Sequence, residues 1–362
     1  MTEAIFRIEM LPACEGDALL IEYGKSNKLN KILIDAGPLS SFAAVENKMN
    51  ALHNKDFELV VVTHVDTDHI DGIIRLFGPA RGNWLINPKE IWFNGLNHVR
   101  KFHNLEMLGG IQGDYLSAVI SKRANEIWNK SFKSGAIVAD ESAKLPSIKL
   151  EGGMQITILS PNRASLKKLA PVWEKDVKKH HIKPGDIDAA FNQLVNTGKY
   201  KASDLLGADG LLGGKLTKQL GNDPSEANGS SIGFLAEYSG KSCLFFGDAH
   251  QDVLCDSLKK IVPIGNRLKV DAVKMPHHAS KNNISKDLIS MIDAKYYLVS
   301  TNGDKHSHPD KEAIETVINN ASAVPTLCFN YDTKTTKTWK TKSKKYNAEY
   351  PGQGASGLVI EL

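Results

Sequence analysis

Seven residues constrain this chain most: Thr63-His64-Val65-Asp66-Thr67-Asp68-His69. They directly follow Phe57 to Thr63, a run of strand length whose apolar character suits a strand buried on both faces. Four side chains able to bind a cation thus stand at a strand end, where α/β folds tend to place their ligands. In an extended loop His64, Asp66 and Asp68 alternate to one side, while the neighbours Asp68 and His69 diverge. One segment can therefore feed two cations, with His64 and Asp66 on one and Asp68 and His69 on the other. Two cations about 3.5–4 Å apart can share a hydroxide and clamp the attacking and leaving oxygens. The bland alternative is a loop capping the next helix through Asp66 or Asp68. A cap needs one carboxylate, not two aspartates and two histidines.

Strands and helices alternate on both sides of this box. Ala18 to Tyr23 and Lys31 to Asp35 read as a hairpin, residues 41–53 and 70–77 as helices, and 84–94 as a strand. Residues 105–133 read as a helix broken near Gly109 and Gly110, and Met154 to Leu159 as a strand. Residues 162–227 are lysine-rich and helical in pattern, interrupted at Pro184-Gly185 and Gly213-Gly214, and read as a mainly helical insertion. After it, a second hairpin repeats the first: IGFLAEYSGKSCLFFGDA (232–249) parallels ALLIEYGKSNKLNKILIDAG (18–37), each ending in an aspartate, Asp248 or Asp35. Either two apolar hairpins match by chance, or the chain holds two βα halves whose sheets meet at one cleft. Strands at 270–275 and 295–300 then alternate with helices at 249–260, 284–292 and 309–320, and residues 357–362 close as a strand. This is an α/β pattern.

Three later clusters also follow strands. They are Phe246-Gly247-Asp248, Lys274-Met-Pro-His277-His278-Ala-Ser280 and Lys305-His306-Ser307-His308-Pro309. Each is ordinary alone, since turns favour Gly-Asp. Their common position at strand ends is what links them to the box. His180-His181 has no strand before it and reads as a solvated helix.

A chain of 362 residues, 41% hydrophobic and 24% charged, is an ordinary globular sequence, here read as one domain over 1–362 with the insertion inside it. A net charge of +4 does not by itself indicate a nucleic-acid binder. The opening MTEAIFRIEMLP lacks the pattern of a signal peptide, and the longest apolar runs fall far short of the roughly 18 residues that span a bilayer. The expected location is cytoplasmic, with no membrane association. Cys14, Cys243, Cys255 and Cys328 show no C-x-x-C spacing and read as reduced thiols.

The ordered set Gly16-Asp17, Leu33-Ile34-Asp35-Ala36-Gly37, the box at 64–69, Asn228-x-x-Ser231, Phe246-Gly247-Asp248, His277-His278-Ala279-Ser280 and His308-Pro309 resembles the metallo-β-lactamase-like domain of the DNA-internalisation competence protein family. The likeness covers residue 5 to about residue 320 except the insertion. It implies an αββα sandwich and a dinuclear site. By resemblance His64, Asp66 and Asp248 hold one metal, and Asp68, His69 and one of His277, His278 or His308 hold the other. Asn228 lies where other members place a further histidine, so it binds metal weakly or touches substrate. Asp17 and Asp35 orient the ligands. Two departures stand out: Ala279 replaces the family's usual glycine, and Asp66 replaces the second histidine of the β-lactamase pattern. Aspartate hardens the site, which shifts preference from zinc toward manganese, magnesium or iron; two divalent ions are expected, zinc or manganese, with magnesium or iron compatible, and β-lactam hydrolysis is not expected. The full competence proteins are membrane channels, and a chain without spans does not inherit transport.

The reaction implied is hydrolysis of a phosphodiester, with Asp68 orienting the attacking water and His277 or His278 protonating the leaving oxygen. Lys274 and Ser280 are substrate-side candidates. Lys334, Lys337, Lys340, Lys342, Lys344 and Lys345 interleave with Trp339. On a strand they would form a phosphate-binding edge with Trp339 free to stack on a base, or an edge guarded by lysine against aggregation. The basic insertion would be a lid or would dock a protein partner. Three functions remain open: a nuclease or nucleotide phosphodiesterase, a hydrolase of a small ester, lactone or cyclic nucleotide, and a non-catalytic subunit of a larger assembly.

Overall fold

The strands that open the chain carry apolar residues on both faces, so the sheet they start has to be covered twice. A computed structural model describes residues 3–78, 84–102, 111–139, 142, 144–200, 223, 225–263 and 265–362. Its first sheet takes β1 (Ala4–Met10), β2 (Leu19–Lys25), β3 (Lys28–Ile34), β4 (Leu59–Val61) and β5 (Ile91–Trp92) side by side in chain order. The first three are antiparallel, and β4 and β5 join in parallel. The second sheet runs through β6 (Ser147–Lys149), β7 (Gln155–Ser160), β8 (Gly233–Tyr238), β9 (Lys241–Phe245), β10 (Leu268–Lys274), β11 (Ile292–Val299), β12 (Thr326–Phe329) and β13 (Asn347–Glu349). It is antiparallel as far as β9 and parallel beyond. The chain closes with β14 (Leu358–Glu361), antiparallel to β1, as the terminal apolar run predicts.

Side-chain alternation sets the layers. Ile8, Ile21, Ile32 and Val61 of the first sheet share a buried cluster with Ile156, Phe234, Phe245 and Ala272 of the second. Leu20, Leu33 and Val60 point the other way, onto α1 (Phe42–Ala51), α2 (Thr67–Phe77), α3 (Ile111–Arg123), α4 (Arg163–Lys179) and α5 (Ile187–Asn196). On the second sheet Leu254, Leu258, Leu288, Ile314 and Val317 anchor α6 (Gln251–Ile261), α7 (Lys286–Ser290) and α8 (Lys311–Asn320). The result is a four-layer αββα sandwich. Each sheet repeats one plan, an antiparallel hairpin followed by parallel strands, and the repeated hairpins β2–β3 and β8–β9 occupy matching places in it.

Three expectations give way. Residues 84–94 are not one strand: 87–88 pair with 56–57, and Pro88 separates that bridge from β5. The helix expected over 105–133 ends at Arg123, and residues 103–110 lie outside the described residues. Trp128 and Asn129 leave the helical path because their side chains bond Phe93, Trp128 Nε1 donating to its carbonyl at 2.8 Å and Asn129 Oδ1 accepting its N–H at 2.9 Å. Residues 334–345 form no strand: a single helical turn spans Lys337–Lys340 and buries Trp339, which is 8% exposed, against Tyr346. Trp339 is therefore not free to stack on a base. Within the lysine-rich stretch the described part is α4 and α5, while residues 201–222 lie outside the described residues. Among the described residues no helix is long and apolar enough to cross a membrane.

Candidate metal centre

Five loops at one end of the sandwich deliver the predicted residues. Asp17 comes from the β1–β2 loop, Asp35 follows β3, His64 to His69 follow β4, Asp248 follows β9, and His277 and His278 follow β10. Close backbone approach is required here. A Cβ on Gly16 would stand 1.8 Å from the Asp68 carbonyl oxygen, so only glycine lets this loop lie against the box. Gly247 turns the chain at φ 53° to present Asp248, whose N–H donates to Ser231 Oγ at 3.1 Å. Asp66 sits at the N-cap position of α2, yet its side chain makes no cap bond. It is 40% exposed with Oδ2 3.6 Å from His64 Nε2, so the capping alternative does not describe it.

The ring orientations are set from behind. Asp35 accepts three hydrogen bonds: from Thr63 N–H at 2.8 Å, from Thr63 Oγ1–H at 2.6 Å and from His69 Nδ1–H at 2.8 Å. His278 Nδ1–H donates to the Ser300 carbonyl at 2.8 Å, with Asp17 Oδ1 3.5 Å away. With both Nδ1 atoms donating, both Nε2 atoms of the neutral rings carry lone pairs. These lone pairs face each other across 3.3 Å. Asp248 Oδ2 lies 3.5 Å from each, and Asp68 Oδ2 lies 3.8 Å from His69 Nε2 and 3.5 Å from His278 Nε2. His64 Nε2, Asp248 Oδ1 and Asn228 Oδ1 are buried with no hydrogen-bond partner among the described residues. Acceptors facing acceptors in a buried site require cations between them. His64, His69 and Asp248 form one group with ligand atoms within 4.8 Å of one another, and Asp68, His69 and His278 form a second. These residues fit divalent metal ions.

Without metal, protons fill that need. Burial works against the charged form of His278, but the Asp248 and Asp17 carboxylates outweigh it and carry the ring up to about 10. His69, buried likewise, is held well above its ordinary range by Asp248 and Asp68. Burial would raise Asp248 and Asp68, and the neighbouring imidazolium charges instead hold both far below the carboxylate norm.

The three late histidines separate. His278 joins the ligand cluster. His277 does not: it is partly exposed, its Nδ1–H donates to Asn283 Oδ1 at 2.9 Å, and its Nε2 lies 3.8 Å from Asp248 Oδ2. His308 also stays outside, its ring 5.5 Å from that of His277, and burial together with the charges on His277 and His278 pushes it down to about 3. Neither substrate-side candidate faces the cleft. Lys274 is buried with its ammonium on the Asp17 carboxylate and the Met275 carbonyl, because a buried lysine must be paired. Ser280 is 2% exposed and its hydroxyl accepts from Asn282 N–H, closing the turn after His278. Two polar residues join the site without belonging to any of the motifs that predicted it. Asp223 Oδ2 accepts from Asn228 Nδ2 at 2.7 Å and from Asn283 Nδ2 at 2.9 Å, and lies 3.1 Å from His277 Nδ1. A local hint existed for Asp223 in its Asp-Pro-Ser capping context; Asn283 offered none.

Two facing sheets flanked by helices, with a His-x-Asp-x-Asp-His box after β4, constitute the metallo-β-lactamase fold. No protein-family model matches the chain, and no curated protein matches it. Among solved structures it is similar to a mutant of the CmlA beta-hydroxylase, at 10% identity and TM-score 0.39, over 100% of this chain and 54% of that one. It is similar to a long form RNase Z from yeast at 10% identity and TM-score 0.33, over 96% of this chain and 44% of that one. A protein of unknown function from Enterococcus faecalis V583 aligns at 9% identity and TM-score 0.30, over 96% of this chain and 76% of that one. The chain thus spans about half the length of the first of these proteins.

Proposed function

We propose that this protein is a metal-dependent hydrolase of phosphodiesters, acting on nucleic acid or nucleotides through two divalent ions. The observation that carries the proposal is the pair of opposed Nε2 lone pairs, 3.3 Å apart, set between the Asp68 and Asp248 carboxylates. His64, Asp66 and Asp248 would hold one ion, and Asp68, His69 and His278 the other, with Asp248 shared. Bound there, the ions would supply Lewis acidity to a phosphoryl oxygen and a lowered pKa to the attacking water. An oxygen-rich set containing Asp66 favours manganese, magnesium or iron beside zinc.

The chain's own groups then have distinct tasks. Asp68, at the cleft and 18% exposed in its side chain, orients the attacking water. His277 donates a proton from Nε2 to the leaving oxygen, its ring held by Asn283 through Nδ1. Burial lowers His277, but Asp248 and Asp223 bring it up to about 9, so it is charged near neutrality before metal binds. Asp35 and the Ser300 carbonyl keep the two ligand rings turned inward. Asn228 Oδ1, bare and buried, is available to an ion or a substrate hydroxyl.

The test is metal content of the purified protein followed by manganese-supported cleavage of labelled DNA and of bis-p-nitrophenyl phosphate. The parent cleaves and the His64→Ala/Asp68→Ala double variant does not. Metal bound with no phosphodiester cut by the parent would sink the substrate class, and no metal bound would sink the whole reading.

A further inference from the structure

The lysines after the last parallel strand are not accounted for by the fold. Lys334, Lys337, Lys340, Lys342, Lys344 and Lys345 are all exposed, and no acidic residue lies between positions 334 and 345. Among the described residues Lys340 is paired with Asp332 and set 5.0 Å over the Tyr350 ring. Among the described residues no carboxylate pairs with Lys334, Lys337, Lys342, Lys344 or Lys345. Six lysines in twelve residues, on a chain whose whole excess is +4, is a local concentration of charge. Guarding a sheet edge does not explain it, because the edge strand β13 begins at Asn347, after the last of them.

The segment is also held in place. Thr336 Oγ1 accepts Thr333 N–H at 2.9 Å and donates to the Tyr331 carbonyl at 2.8 Å, and Tyr350 O–H donates to the Thr336 carbonyl at 2.8 Å. Trp339 is the buried pin beneath it. Its first residues adjoin the cleft rim: a Cβ on Gly303 would meet Thr335 Oγ1 at 2.1 Å and the His308 carbonyl oxygen at 2.7 Å. On the same side, Cys14 N–H, two residues from Gly16, donates to Tyr331 Oη at 2.8 Å.

We propose that residues 334–345 are a docking surface for the phosphate backbone of a nucleic-acid strand that continues into the metal cleft. The proposal rests on the phosphodiesterase reading above and names its polymeric substrate. Because its cations meet phosphates rather than base edges, the surface binds strands independently of their sequence.

The test compares the parent with the Lys337→Ser/Lys342→Ser/Lys344→Ser/Lys345→Ser variant, all four changes lying at exposed positions outside the metal cluster. Binding of a labelled single strand is followed by anisotropy in chelator across a salt series, and hydrolysis of bis-p-nitrophenyl phosphate is followed with manganese. Each lysine that neutralises a phosphate contributes about 0.7 to the slope of log affinity against log salt. The variant is expected to lose about 3 from that slope and at least about tenfold in affinity at moderate salt, with hydrolysis of the small diester unchanged. An unchanged slope overturns the proposal, and so does equal loss of strand binding and small-diester hydrolysis. If the parent cleaves no phosphodiester while the lysines still govern strand binding, the proposed reaction falls and the docking surface stands.

Discussion

Asp35 and Asp248 occupy equivalent places, each just past the second strand of a hairpin in one of two facing sheets, yet their surroundings are opposite. Asp35 receives three hydrogen bonds and so is fully compensated by the protein. Asp248 has one oxygen with no hydrogen-bond partner among the described residues and the other aimed at the His69, His277 and His278 rings. One half of a repeated architecture is a rigid support, and the other turns its carboxylate toward the imidazole rings. Buried polar groups are rarely left unpaired without a reason, and here the reason is a ligand that the chain does not itself supply. The support matters too, since a ligating ring depends on what holds its other nitrogen.

The sharpest way to break this contrast is to remove the open carboxylate. Asp248→Ala should abolish stoichiometric metal binding and with it hydrolysis, read by metal analysis after gel filtration; full metal occupancy in the variant would show that Asp248 is not a shared ligand.

Next in size is the dependence on pH. His278, at about 10, and His69, also raised, carry protons near neutrality in the metal-free protein. Both shifts are upward, so their contribution to stability is fully present below the unfolded value near 6.5 and is lost as pH rises toward 10. The metal-free protein should therefore melt at a lower temperature at pH 9.5 than at pH 7. Metal binding must displace those protons, so affinity should climb about a hundredfold per pH unit near neutrality, with about two protons released. Calorimetry in buffers of different ionisation heat reads the proton count, and a count of zero would contradict the assigned protonation.

Smallest is the effect on the closed side. Asp35→Asn keeps the shape but weakens the acceptor behind His69. It should lower metal affinity roughly 10- to 100-fold while leaving the stoichiometry intact. An effect as large as that of Asp248→Ala would mean the two aspartates do not differ in kind.

Spacing within one segment was readable before the structure. The box at 64–69 lies on one strand end and one helix start, so its residues reach the cleft by local geometry alone. The two hairpins and their terminal aspartates were readable for the same reason, since the apolar period of a strand is set by its own backbone. The choice among His277, His278 and His308 was not. His278 meets His69 across 209 positions of chain, and its neighbours at 277 and 308 differ from it only in where tertiary packing turns their rings. Three left-handed residues in succession, His277 at φ 46°, His278 at φ 51° and Ala279 at φ 63°, turn the chain where the two rings diverge.

Burial decided the rest. Lys274 and Trp339 looked like exposed binding groups because residue type carries no record of solvent access; the fold placed one on Asp17 and the other beneath its own lysines. Asp223 and Asn283 entered the site because segments distant from the box fold over it. The sequence by itself determined the strand ends and the ligand box, because these follow from periodicity and from contacts a few residues apart; the αββα layer order was implied only by the family resemblance. Only the tertiary structure decided which histidine joins the candidate metal cluster, which aspartate is left open, and which polar groups are buried, because those depend on long-range packing and on the unfavourable free energy of burying an unpaired charge.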